Sequence, residues 1–303
     1  MAEPVLDLID LDQDLPGQRE FISCWVSREE GWTFLVDPGP PASTDRLLAR
    51  LQEMGLEQLD YILLTHIHLD HAGGTGLLLA AYPEAKVVCH ERAIAHLVDP
   101  ARLWQGSQAV LSSMATVYGE PQPVPPHALT GFEEIAARGI HTIVTPGHAP
   151  HHISFLHAGT LFCGEAAGTY KNMVNGSYYL RPATPPRFVL EPALMSLTRL
   201  QEIEPPPERI AFAHHGLARG DVRELLQTAH RQLRHWVQVA RQEGARSPAT
   251  FQQLFDNIHE RLLEEDPHYG WFRQLAPDIQ EREYQFVGNT LEGILGYIDS
   301  NYI

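Results

Sequence analysis

LLTHIHLDHAGG, residues 63–74, sets three histidines and an aspartate within six consecutive positions, directly behind an apolar run and directly ahead of two glycines. The run LDYILLT (59–65) has the length and composition of a short buried strand. In a loop leaving such a strand, His66 and His68 are two apart and can point to one side, while Asp70 and His71 follow as the chain turns. Gly73 and Gly74 allow a tight backbone path into a helix. Imidazole and carboxylate are ligands that Zn, Fe and Mn accept at neutral pH. The segment can therefore offer His66 and His68 to one cation and Asp70 and His71 to a neighbour.

Working outward, FISCWVS (21–27) and WTFLVDPG (32–39) read as strands separated by a turn. A helix follows, capped by Ser43 or Thr44, with Leu47, Leu48, Leu51 and Met54 on one stripe and Gly55 at its end. GTGLLLAAYP is a helix stopped at Pro83, AKVVCH a strand, and residues 91–118 are mostly helical. The proline-rich GEPQPVPP then makes a connection. IHTIVTPGH (140–148) is a strand running into a loop, and HISFLHAGTLFCGE (152–165) is a hairpin turning at Ala-Gly. A helix over 191–202 precedes the strand RIAFAHHG (209–216). Short strands alternating with helices predict α/β layers, with sites at the strand ends.

The last third changes character. From Asp221, with Glu224 as its capping partner, Val222, Leu225, Leu226, Ala229, Leu233, Trp236, Val237 and Ala240 keep helical spacing. Ser247-Pro248 opens a second helix carrying Phe251, Leu254, Phe255, Ile258 and Leu262. A third runs from about Glu281 to Ile298. The expected organisation is a site-bearing domain over 1–220 and a helical extension over 221–303, packed on the first because its apolar face cannot stand in water.

A net charge of −16 across 303 residues argues against nucleic acid or an anionic membrane as partner. Cys24, Cys89 and Cys163 are odd in number and widely spaced, which predicts reduced, buried thiols and a cytoplasmic setting. MAEPVLDLID has no basic start, and no apolar run is long enough to span a bilayer. A small-molecule substrate is expected, and self-association is left open.

THIHLDHAGG resembles the H-x-H-x-D-H signature of the metallo-β-lactamase fold superfamily, and the resemblance extends in order over about residues 20–220. It implies a four-layer αββα sandwich and two divalent cations, Zn foremost, with Fe or Mn as alternatives. In that family a further histidine sits in a P-G-H loop, which TPGHAPHHISF supplies as His148. A bridging carboxylate ends the next hairpin, and LFCGE supplies Glu165. A last histidine follows another αβ unit, and FAHHG supplies His215, with His214 the competing choice. The ligand set so implied is His66, His68, Asp70, His71, His148, Glu165 and His215.

The departure is Glu165, because the family has Asp there and this chain has no Asp between Asp99 and Asp221. Asp37 is expected to support the histidine loop, and His151 or His152 to orient a ligand. Cys163 is expected to be a small buried residue. The resemblance implies a bridging hydroxide and Asp70 as the catalytic carboxylate, hence a hydrolase of an ester, thioester or lactone. The alternative is a non-hydrolytic di-iron redox or regulatory protein of the same fold. Residues 166–190 are placed to roof the metals, with Tyr170, Tyr178 and Tyr179 as substrate-binding candidates.

Overall fold

Period-two alternation fixes which way each strand faces. Strands β1 (Val5–Asp10), β2 (Ser23–Glu29) and β3 (Trp32–Val36) form an antiparallel meander, and β4 (Tyr61–Leu63), β5 (Lys86–Val88) and β6 (Leu129–Thr130) extend it in parallel. Trp25, Phe34, Val36, Tyr61, Leu63 and Val88 share one apolar cluster, while their chain neighbours Cys24, Val26, Leu35, Ile62 and Val87 share another. The second group is covered by Leu47 and Leu51 of helix Thr44–Glu53 and by Leu78 and Leu79 of helix Thr75–Ala81. Burying each such side chain stabilises the fold by roughly 1.5–3 kcal/mol. The computed structural model describes residues 4–246 and 250–300.

The second sheet contains β7 (His141–Val144), β8 (Ile153–His157) and β9 (Thr160–Gly164). After the separate hairpin β10 (Thr169–Asn172) and β11 (Tyr178–Arg181), β12 (Arg209–Phe212) and β13 (Leu217–Arg219) complete the order β13-β12-β9-β8-β7. The β8–β9 turn is the expected Ala158-Gly159, both residues at positive φ (43° and 73°), as its tight geometry requires. Ile153, Phe155, Phe162 and Ala211 close the inter-sheet core against Trp25, Phe34 and Leu63. Leu161, Cys163, Ile210 and Phe212 face outward under helix Leu190–Gln201. The layers are helix, sheet, sheet, helix, as expected.

The tail packs on this outer layer. Asp221 accepts from the Glu224 backbone N at 2.9 Å, capping helix Val222–Gly244 as the sequence indicated. The next helix is described from Phe251 to Glu265, with Thr250 accepting from Gln253 N; the expected Ser247-Pro248 start lies outside the described residues. The last helix, Pro277–Ser300, begins earlier than expected, with proline in its first turn, where no N–H is missed. Trp236, Leu262, Leu291 and Ile294 belong to the same apolar cluster as Leu161 and Phe212. No described helix is long and apolar enough to cross a membrane.

Two parallel strand pairs organise the site. β3 beside β4, and β9 beside β12, run in the same direction within their sheets. Their carboxyl ends deliver Asp37, the 66–71 loop, Glu165 and His214 to a common edge. The sheets are tied together there by Ile153 N donating to Thr65 O (2.8 Å) and Ser23 N donating to Ala213 O (3.0 Å).

Candidate metal centre

Among the described residues, three groups of side chains could hold a cation: His66, His68, His148 and Glu165; Asp70, His71 and His214; and Asp37, His66 and His71, the ligand atoms in each lying within 4.8 Å of one another. In the first, the Nδ1 of His68 is 3.1 Å from His66 Nε2 and 2.9 Å from His148 Nε2. In the second, Asp70 Oδ2 lies 3.4 Å from both His71 Nε2 and His214 Nε2. Glu165 stands between the two. Its Oε2 is 2.9 Å from His148 Nε2, 3.3 Å from His66 Nε2 and 3.4 Å from His71 Nε2, and its Oε1 is 3.4 Å from His214 Nε2.

The rings are held from behind. His66 Nδ1 contacts Thr65 Oγ1 (3.0 Å), and His71 Nδ1 contacts Asp37 Oδ2 (3.2 Å). His148 Nδ1 donates to Ala183 O (3.0 Å) and His214 Nδ1 to Phe21 O (3.3 Å). In all four the far nitrogen is engaged, so Nε2 is aimed at the cluster, the arrangement by which outer contacts orient metal ligands. Asp37 is buried and also accepts from Thr65 N (2.8 Å) and Thr65 Oγ1 (2.7 Å), which is the supporting position expected of it.

Glu165 is placed by its own strand end. Gly164 has φ +55°, and a Cβ there would lie 2.4 Å from His152 Nε2 and 2.9 Å from Thr65 Cβ. The position therefore needs glycine on two counts. His152 Nε2 accepts the Glu165 backbone N–H at 3.1 Å, while its Nδ1 faces Thr145 Oγ1 at 2.9 Å. His152 thus acts on the glutamate's backbone and contacts no ligand ring by hydrogen bond.

The electrostatics favour a cation. Burial pushes His68 down to about 3, with His148 beside it adding to the effect, and also holds His66 well below its usual range with help from His71 and His68. Burial would raise Glu165, but His148 and His214 outweigh it and hold the carboxyl well below its usual range. Burial would likewise raise Asp70, and His71 and His214 overcome it. For His71, burial is outweighed by Asp70 and Asp37, and the ring is raised. Two ionised carboxylates beside His66 and His68, which resist protonation, leave a buried deficit of positive charge. His71 Nε2 is a buried atom with no hydrogen-bond partner, although two carboxylates stand 3.4 Å away. Divalent cations fit both observations.

Residues 17–214 match the family described as Metallo-beta-lactamase superfamily, and this spans well over half of the chain. The chain belongs to the metallo-beta-lactamase superfamily. A metallo-beta-lactamase fold-containing protein of Sulfurisphaera tokodaii is 35% identical over 178 residues, 56% of this chain and 65% of that one. A hydroxyacylglutathione hydrolase of Albidiferax ferrireducens is 33% identical over 148 residues, 46% of each chain. The chain thus spans about half to two thirds of the length of these curated relatives. An archaeal superfamily protein from Sulfolobus tokodaii superposes with a TM-score of 0.66 at 24% identity, over 97% of this chain and 98% of that one. A family protein from Thermus thermophilus superposes with 0.61 at 21% identity, over 98% and 94%. These two show a shared fold that includes the tail.

Within this superfamily member two expectations change. His214, not His215, joins the cluster. Ile22 forms a β-bridge with His214, which holds it toward the site, whereas His215 turns through φ +44° and contacts Asp10 at 3.1 Å. Tyr170, Tyr178 and Tyr179 do not line the cavity over the cluster. Tyr170 stacks on Phe212, Tyr178 on His268, and the buried Tyr179 donates to Glu283 (2.9 Å), because the β10–β11 hairpin lies between β12 and the tail and spends its aromatic faces on them. The later part of the same stretch does reach the cavity, through Arg181, Ala183, Thr184 and Arg187. Sequence reasoning missed Phe21, Phe286, Asn289 and Thr290, which also line it. Nothing in their local sequence marks them, since tertiary packing alone brings them there.

Proposed function

We propose that this protein is a metal-dependent hydrolase acting on an ester, thioester or lactone through two divalent cations, with zinc foremost and iron or manganese as alternatives. His66, His68 and His148 would hold one cation and Asp70, His71 and His214 the other, with Glu165 shared between them. The observation that carries the reading is the position of Glu165, whose Oε2 faces His66, His148 and His71 and whose Oε1 faces His214, so that one carboxylate touches both histidine groups in the lining of a 1180 Å³ cavity. When bound, such cations polarise a carbonyl oxygen and bring the pKa of water toward 7. Asp70 borders the cavity and serves as the carboxylate that orients the attacking water and accepts its proton. The relatives named hydroxyacylglutathione hydrolase support an acyl-sulfur substrate.

The cavity narrows the substrate further. Leu103, Val110, Val144 and Val189 give it apolar walls, and Arg92, Arg102 and Arg187 line it with no ion pair among the described residues. In a chain of net charge −16, this local basic character supports an acyl substrate that also carries an anionic group. The test is metal analysis of the purified protein, followed by a panel of thioester, lactone and phosphodiester substrates with and without chelator. Hydrolysis that chelator abolishes and Zn, Mn or Fe restores is expected. A fully loaded protein that cleaves none of them, or a coloured di-iron protein that turns over electrons instead, would overturn the reading.

A further inference from the structure

We infer that the tail helix Pro277–Ser300 acts through Phe21 to hold His214 in its site-facing orientation, making Phe21, Arg282 and Phe286 positioning residues for the second cation. This rests on the proposed role of His214 as a ligand. Phe21 lies flat on the His214 imidazole, with ring centroids 4.1 Å apart and planes within 10°. The same residue's carbonyl accepts the His214 Nδ1–H. One buried residue thus fixes both the tilt of the ring and its tautomer.

Phe21 is in turn held by the tail. The Arg282 guanidinium sits over its ring at 4.4 Å, and the Phe286 ring packs against it at 4.8 Å. Arg282 is buried and donates from Nη1 to Gly17 O (2.7 Å) and Arg19 O (2.8 Å). Gly17, at φ +74°, approaches the helix so closely that a Cβ would lie 2.1 Å from Asp278 O. Arg19 grips Asp278 with two hydrogen bonds of 2.8 and 3.0 Å. On the other side, the Ser23–Ala213 and Ile22–His214 backbone contacts fasten the segment to the strand end carrying His214. The loop 17–21 is a wedge clamped between helix and ligand.

The other rings are held differently. Thr65 and Asp37 engage His66 and His71 from beside the histidine loop, and Ala183 engages His148 from a segment tied to the tail at Thr290, away from the wedge. Loosening the wedge should therefore weaken one cation site and spare the other. Outer contacts of this kind are worth roughly 10–100-fold in metal affinity.

The experiment is a stepwise Co(II) titration of the full chain, followed by visible absorption and by metal content after gel filtration. Phe21→Leu keeps an apolar side chain of similar size but loses the flat face. It should weaken the second equivalent by roughly 10–100-fold and leave the first unchanged. Phe21→Tyr restores the ring and should rescue the second site. Phe286→Leu, on the far side of the wedge, should act in the same direction and decides the matter if Phe21→Leu does not fold. Equal weakening of both sites, or parent affinity in Phe21→Leu, overturns the inference. His214→Ala separates the two ideas, for if it still binds two equivalents tightly, the ligand assignment fails before the positioning role is reached.

Discussion

Gly164→Ala perturbs the candidate centre without removing any donor. The residue sits at φ +55°, where a non-glycine residue costs roughly 1–2 kcal/mol. Its new Cβ would meet His152 Nε2 at 2.4 Å and Thr65 Cβ at 2.9 Å. Both neighbours are buried and held by further hydrogen bonds, so neither can yield freely. Overpacking of that kind costs roughly 1–3 kcal/mol. The total, roughly 2–5 kcal/mol, corresponds to a fall in Tm of roughly 3–8 °C in a chain of this length. Displacing His152 also frees the Glu165 backbone N–H, so the second cation should be lost before the fold is. Urea unfolding at neutral pH, with metal content measured on the same samples, checks both parts. A variant within about 1 kcal/mol of the parent that retains two equivalents would refute the claim that this strand end is sterically closed.

His214→Ala should cost one cation equivalent while His215→Ala keeps both, as read by elemental analysis; the reverse result would restore the other histidine. Glu283→Gln removes a buried partner of Arg181 (2.5 Å) and Arg282 (2.9 Å), which should destabilise the protein by about 3–5 kcal/mol in urea at pH 7. Burial opposes ionisation of Glu283, but the two arginines hold its carboxyl down to about 2, so this stabilisation is present above the ordinary value of 4.5 and lost as pH falls toward 2. The difference between parent and Glu283→Gln should accordingly shrink across that window and stay constant above it. Arg187→Gln should raise KM for a carboxylate-bearing thioester more than for its neutral methyl ester, with kcat little changed; equal effects would remove the anion from the substrate description. Ending the chain at residue 220 uncovers Tyr179, Leu180 and Phe188, which pack with Trp236, Leu291 and Ile294, and should give insoluble protein. A soluble, folded fragment would make 221–303 a separate module.

The sandwich was legible because its strands are short apolar runs, several of them ending at Gly or Pro, set between segments of helical spacing. His66, His68, Asp70 and His71 were legible because an apolar strand leading directly into dense ligand types has few other uses. His148 and Glu165 came from their order along the chain, each at a strand or loop junction. The choice between His214 and His215 was not available from two adjacent identical residues, since it depends on a bridge to Ile22 and a ring from Phe21, nearly two hundred positions away. The tyrosines misled for a related reason. An aromatic on a short hairpin serves a pocket or a core equally well, and the tail's position decides which. Asp37, by contrast, ends a strand beside the histidine loop, and its place beneath that loop could be anticipated.

The clamp on the wedge has a consequence in time. Gly17 and Arg282 are separated by 265 positions, and at cellular synthesis rates the second follows the first by roughly 10–50 s. Until the last helix has emerged, the segment before Phe21 has nothing to close it, and His214 stands at an open wall. The first histidine group shares part of this dependence: Thr65 steadies His66 locally, but the segment carrying Ala183, which steadies His148, is tied to the same helix by Thr184 Oγ1 donating to Thr290 O and Thr290 Oγ1 donating to Pro182 O. A nascent chain would therefore complete its second histidine group only once the last helix has folded back on the loop 17–21. Premature termination within the final helix would leave His214 without its wedge and the Ala183 segment behind His148 without its tie to Thr290.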